Sequence, residues 1–135
     1  MKSTIKYILM ILLSLQFSTS AQSASKSILS ENAAMAYCRI QIDALKKSWD
    51  MSLTNKTIID DAVKAQYQNG ISFASMGTTE LEYKKQLDIA VSAMRSNKNA
   101  FDNEYTIFLI KIAPQEASCV VQLSSTSERT VTGSK

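Results

Sequence analysis

Residues 35–49, MAYCRIQIDALKKSW, decide how the chain folds. Met35, Cys38, Ile42, Leu45 and Trp49 recur at intervals of three and four, which places them along one stripe of an α-helix. The opposite face carries Arg39, Asp43, Lys46 and Lys47, as expected for a helix with one side in water. Cys38 sits in the apolar stripe. The chain's one other cysteine, Cys119, lies near its far end. A bond between them ties the first helix to the last ordered segment and encloses about eighty residues, for which loop closure gives roughly 4.5 kcal/mol as an upper estimate.

The N-terminus gives the expected compartment. Lys2 and Lys6 precede an eleven-residue apolar run, Tyr7 to Phe17 (YILMILLSLQF), followed by small and polar residues. This is the layout of a secretory signal peptide over 1–23, with cleavage after Ala21 or Ser23, and the run is short for a membrane span. A periplasmic or secreted protein without stable membrane insertion is expected, and an oxidising compartment suits one disulfide. Without the signal the chain keeps thirteen basic and twelve acidic residues, a net charge of +1. That balance gives no reason to expect a nucleic-acid partner.

Downstream, Ser30 caps the first helix, with Glu31 in its first turn where the helix dipole favours an acid. Thr57-x-x-Asp60 reads as the start of a second helix, with Ile59, Val63 and Tyr67 facing inward and Asn69-Gly70 stopping it. Thr79-x-x-Glu82 is a full capping box, so a third helix begins at Glu80 and buries Tyr83, Leu87, Ala90, Val91 and Met94. Asn99 is placed to cap a fourth helix holding Phe101, Tyr105, Phe108, Leu109 and Ile112. Pro114 is expected to end that element and to open a fifth helix or a hairpin. The fold expected is all-α, a four- to five-helix bundle occupying 24–123, with a flexible polar tail over 124–135. Because Tyr105 to Ile112 is aromatic and β-branched, the alternative is α+β, with a C-terminal β-hairpin at about 104–123.

Chemistry is excluded more readily than assigned. There is no histidine, so a Ser-His-Asp or Cys-His site cannot be built. Glycines at 70, 77 and 133 fit no phosphate-binding loop. Two cysteines without histidine make no ordinary zinc site, and neither metal nor cofactor is expected. Paired carboxylates remain: Asp60 with Asp61, and Glu80 with Glu82. Each pair sits at an expected helix start, where acids belong without catalysis.

One segment suggests a surface. Ile71 to Thr78 (ISFASMGT) is apolar for a connection: either it packs on the core as a one-turn helix, with Phe73 and Met76 folded inward to cap the bundle, or it is a partly exposed loop, with Ile71, Phe73 and Met76 as the candidate partner-binding residues. The expectation is an exported, non-enzymatic protein that binds another protein, such as an inhibitor or immunity protein against a toxin or cell-wall hydrolase. An accessory subunit of an envelope secretion or conjugation machine is the alternative. A carboxylate-dependent hydrolase is the remote one.

Overall fold

The structure, a computed structural model, describes residues 29–133, with side-chain surroundings given as far as Ser124. The expected signal peptide and its cleavage site lie outside the described residues. Four helices form: α1 (Glu31–Lys47), α2 (Asn55–Gln68), α3 (Glu80–Ser96) and α4 (Tyr105–Gly133). Short 3-10 turns at Ala74–Met76 and Lys98–Phe101 join the last three. No strand occurs among the described residues, so the bundle is all-α and the hairpin at 104–123 is excluded. None of the described helices is long and apolar enough to cross a membrane.

α1 is the central element, packed against α2, α3 and α4. Ser30 caps it, its side chain accepting from the Ala33 amide at 3.2 Å. Its buried face is broader than the stripe at 35–49 implies. Ala34, Tyr37, Cys38, Gln41, Ile42, Ala44 and Leu45 are all buried, while Met35 lies at the edge, 38% exposed. The width has a simple cause: a helix with neighbours on three sides buries more than one stripe.

α2 begins earlier than the Thr57 reading. Thr54 is the N-cap, accepting from the Thr57 amide at 3.1 Å. Asp60 and Asp61 therefore stand beyond the first turn, and the helix dipole does not explain them. The end of α2 follows its sequence signal. Gly70 adopts φ +75°, the Ile71 amide donates to the Gln66 carbonyl and the Gly70 amide to that of Tyr67, both at 3.0 Å. That is a Schellman end, which needs the left-handed residue that glycine supplies.

α3 forms as its capping box indicates. Thr79 accepts from the Glu82 amide at 3.1 Å, and Tyr83, Leu87, Ala90, Val91 and Met94 are all buried. α4 starts later than the Asn99 cap implies. Lys98–Phe101 is a 3-10 turn, and Asp102 and Asn103 both take left-handed φ (56° and 57°) before Tyr105 opens the helix. Asp and Asn are the non-glycine residues that accept this conformation most readily.

Pro114 does not end α4; it lies inside it, and neither a fifth helix nor a hairpin follows. Proline lacks the amide that would bond to the Ile110 carbonyl. Ile110 is 68% exposed and Pro114 is exposed too, so the interruption falls on the wet side, where water can serve the freed carbonyl. Beyond Leu123, where the sequence suggests an irregular tail, the backbone continues helical to Gly133. No proline or glycine interrupts 124–132, and the Ser124 hydroxyl bonds back to the Val120 carbonyl at 2.7 Å.

Cys38 and Cys119 are joined, 81 residues apart in sequence, and both are buried. The bond ties α4 to α1, and the opposed order of the Cys38–Cys119 and Trp49–Phe108 contacts runs the two helices antiparallel. Toward the other end of the pair, Trp49 packs on Phe108 (5.4 Å between ring centroids), Tyr105 (5.6 Å) and Phe101 (6.2 Å).

Candidate functional site

The 71–78 segment offers no surface through its apolar side chains. Ile71, Phe73 and Met76 are 4%, 4% and 7% exposed. Gly70 and Gly77 both carry positive φ and turn the chain at each end, so the segment folds back on the bundle. Phe73 lies 4.7 Å from the Tyr83 ring and 5.5 Å from that of Tyr67. Burial of large apolar groups outweighs exposure here, and the three residues are core.

The carboxylates regroup. The structure brings Asp60 and Glu80 together, one from each sequence pair, in a surface groove of about 550 Å³ between α2 and α3. Asp61 instead borders a small furrow of about 50 Å³ between α1 and α2, and Glu82 lines neither. Lys84 sits between the grouped acids, 3.2 Å from Glu80 and 3.9 Å from Asp60. Lys56 approaches Asp60 at 2.6 Å, and the Tyr67 hydroxyl donates to Glu80 at 2.6 Å.

These contacts set the protonation states. The Lys56 hydrogen bond, helped by the charges of Lys56 and Lys84, holds the Asp60 carboxyl below its ordinary range. Hydrogen bonds from Tyr67 and then Lys84 do the same for Glu80. Glycoside or peptide hydrolysis by a carboxylate pair needs one acid kept protonated beside one kept ionised. Here both are held ionised. Charge also alternates along the groove, with Lys56, Asp60 and Lys64 every fourth residue on α2 and Glu80, Lys84 and Asp88 on α3. Such a ladder largely compensates itself.

A different arrangement is found at the end of the bundle where α1 meets α2. Arg95, in the last turn of α3, spreads its guanidinium over the connecting loop. Nε donates to the Ser48 carbonyl (2.9 Å), Nη1 to Asn55 Oδ1 (2.8 Å), and Nη2 to the carbonyls of Asp50 (3.0 Å) and Leu53 (2.6 Å). Asn55 is fixed in turn, its amide donating to Asp88 and Ser92 at 3.0 Å each. The planar fork of arginine suits several acceptors at once and holds the loop in one shape. That loop presents Met51, 64% exposed, two residues from the half-buried Trp49. Tyr105, 41% exposed, lies against Trp49, and Lys98 sits 5.5 Å above the same ring.

Of the tyrosines placed on core stripes, Tyr83 alone is buried. Tyr67 and Tyr105 are exposed, whereas Tyr37, off the expected stripes, is 1% exposed and packs 6.0 Å from Tyr83. The sequence carried one usable sign of the loop surface. Met51 follows Trp49 just past the end of α1, where an apolar residue has no helix face to occupy. The Arg95 contacts, forty or more residues distant, left no local trace.

A third surface is the outer face of α4. Thr106, Ile110, Ala113, Pro114, Ala117 and Val121 are all exposed and none is charged.

The chain matches no known protein family, and comparison with curated proteins and with solved structures finds no significant match.

Proposed function

We propose that this is an exported, non-enzymatic protein that acts by binding another protein in the periplasm or outside the cell. The observation that carries the reading is the Arg95-held loop. It presents Met51 two residues from Trp49, whose ring packs on the exposed Tyr105, on a scaffold braced by a disulfide. Aromatic residues and methionine are enriched where proteins meet, and a surface held rigid before contact loses less entropy on binding.

Two further observations support it. The grouped carboxylates, Asp60 and Glu80, are both paired and held ionised, which disfavours acid–base chemistry. The composition lacks histidine altogether. An inhibitor or immunity protein that blocks a toxin or cell-wall hydrolase is the finer form of this reading. It fits a small, rigid, secreted binder, because a stiff presenting surface is what such complexes use.

The outer face of α4 favours a second reading. A second uncharged surface, on another helix, suits an accessory subunit of an envelope secretion or conjugation machine, which must hold more than one neighbour. Gel filtration of the native envelope extract tests both. The protein is expected to elute well above its monomer size, and Met51→Asp to return it to the monomer position. Elution as a monomer, or a complex indifferent to Met51→Asp, would contradict the loop surface.

A further inference from the structure

The two halves of α4 are held in different ways. Before Pro114 the helix buries Phe108 (0% exposed) and Ile112 (3%), and it joins the aromatic cluster of Trp49, Phe101 and Tyr105. After Pro114, over residues 115–124, the buried residues are Cys119 and Leu123, no aromatic ring takes part, and Val120 packs half-buried against the core. The ion pair of this half with α1, Arg39 to Glu116 at 3.6 Å, has an arginine 61% exposed, and such pairs contribute little. On α1 the disulfide partner Cys38 and its neighbour Ala34 are small, so little apolar area is gained there. Between the halves stands the one residue that cannot make its backbone hydrogen bond.

We propose that the segment of α4 beyond Pro114 is a redox latch: the Cys38–Cys119 bond holds it closed on α1, and reduction releases it at Pro114 while α1, α2, α3 and the first half of α4 stay folded. Reduction takes two electrons and two protons from an external dithiol, which leaves as its own disulfide, and yields the Cys38 and Cys119 thiols. Release uncovers Ala34 and Cys38 on α1, with Cys119 and Leu123 on the latch. Oxidation reverses the exchange, so the latch closes when the chain reaches an oxidising compartment. Both sulfurs are shielded when the latch is shut, so a reductant gains access through the same opening. The latch rests on the disulfide and Pro114 and does not depend on what the Met51 surface binds.

Hydrogen–deuterium exchange on the exported protein, with and without dithiothreitol, tests it. Loss of protection confined to 115–124, with α1 to α3 still protected, is the expected result. Loss across all four helices together, or protection retained at 115–124 with both thiols free, would overturn it. Pro114→Ala supplies the missing amide and is expected to slow exchange of 115–124 in the reduced protein by about tenfold or more. Unchanged exchange in that variant would overturn the hinge.

Discussion

Arg95 Nη2 donates to the Leu53 carbonyl at 2.6 Å, a bond spanning 42 residues that joins the end of α3 to the loop between α1 and α2. Together with the bonds to Ser48, Asp50 and Asn55 it makes one guanidinium the holder of that loop. Replacing it strands several carbonyls at once. Arg95→Met is expected to cost about 2 kcal/mol, seen as a melting temperature lower by roughly 10 °C. Arg95→Lys restores the charge without the fork and should recover little of the loss. Thermal melts of the three proteins check this.

Gln41 gives a prediction of opposite sign. It is 1% exposed, and neither atom of its carboxamide has a hydrogen-bond partner among the described residues. A buried amide without partners costs about 1–3 kcal/mol. Gln41→Leu is therefore expected to stabilise the protein by about 1 kcal/mol or more. Gln66→Leu should destabilise it, because Gln66 Nε2 donates to the Tyr83 hydroxyl at 2.9 Å. Chemical denaturation of both variants separates the two cases.

Acid should weaken the fold in a defined window. Asp50, Asp60 and Glu80 are held below their ordinary pKa by hydrogen bonds from Ser52, Lys56 and Tyr67 respectively. A depressed carboxylate contributes stability above its unfolded pKa and loses it as pH falls through the folded value. Stability should thus be flat near neutrality and decline below about pH 4. Asp50 is exposed and Asp60 and Glu80 are partly exposed, so the decline should be shallow and should shrink in high salt. Melting temperature against pH at two ionic strengths is the check.

The alkaline limit has another cause. Burial pushes the Tyr37 hydroxyl well above its ordinary pKa, with the nearby Tyr83 adding to the effect, and burial raises Tyr83 likewise. A raised tyrosine contributes stability in full below its unfolded pKa and loses it as pH rises. Unfolding should set in above about pH 10. Phenolate absorbance should show these two tyrosines ionising only as the helical circular dichroism is lost.

Lys84 tests the reading of the groove. It bridges Glu80 and Asp60 at the surface, where ion pairs contribute little, so Lys84→Ala should change stability by less than about 1 kcal/mol. Asp60→Asn with Glu80→Gln should leave partner binding intact. Loss of binding in that double variant would move the functional surface from the loop to the groove.

Where local signals decide, the sequence was readable. Thr79 and Glu82 set the start of α3, and its five-residue stripe is buried as spacing requires. Ser30 and Gly70 likewise mark the ends they occupy. The disulfide followed from the expected export and the cysteine count. Distant contacts undid the other readings. Thr54 rather than Thr57 caps α2, and its neighbour Asn55 is fixed by Arg95, Asp88 and Ser92 on α3. Pro114 sits within α4 because the face it interrupts is the one turned to water, which the proline itself does not reveal. The 71–78 segment reads equally as an inward-packed turn or an exposed loop because periodicity fails there; two left-handed glycines turn it inward.

The central claim is that the loop held by Arg95 is where this protein meets its partner. A photoreactive benzophenone amino acid placed at position 51, and as a control at the exposed position 68 of α2, tests it in cells that produce the protein. One discrete crosslinked species is expected from position 51, absent from position 68 and lost when Arg95→Met is added. No adduct from position 51, or the same adducts from both positions, would contradict it.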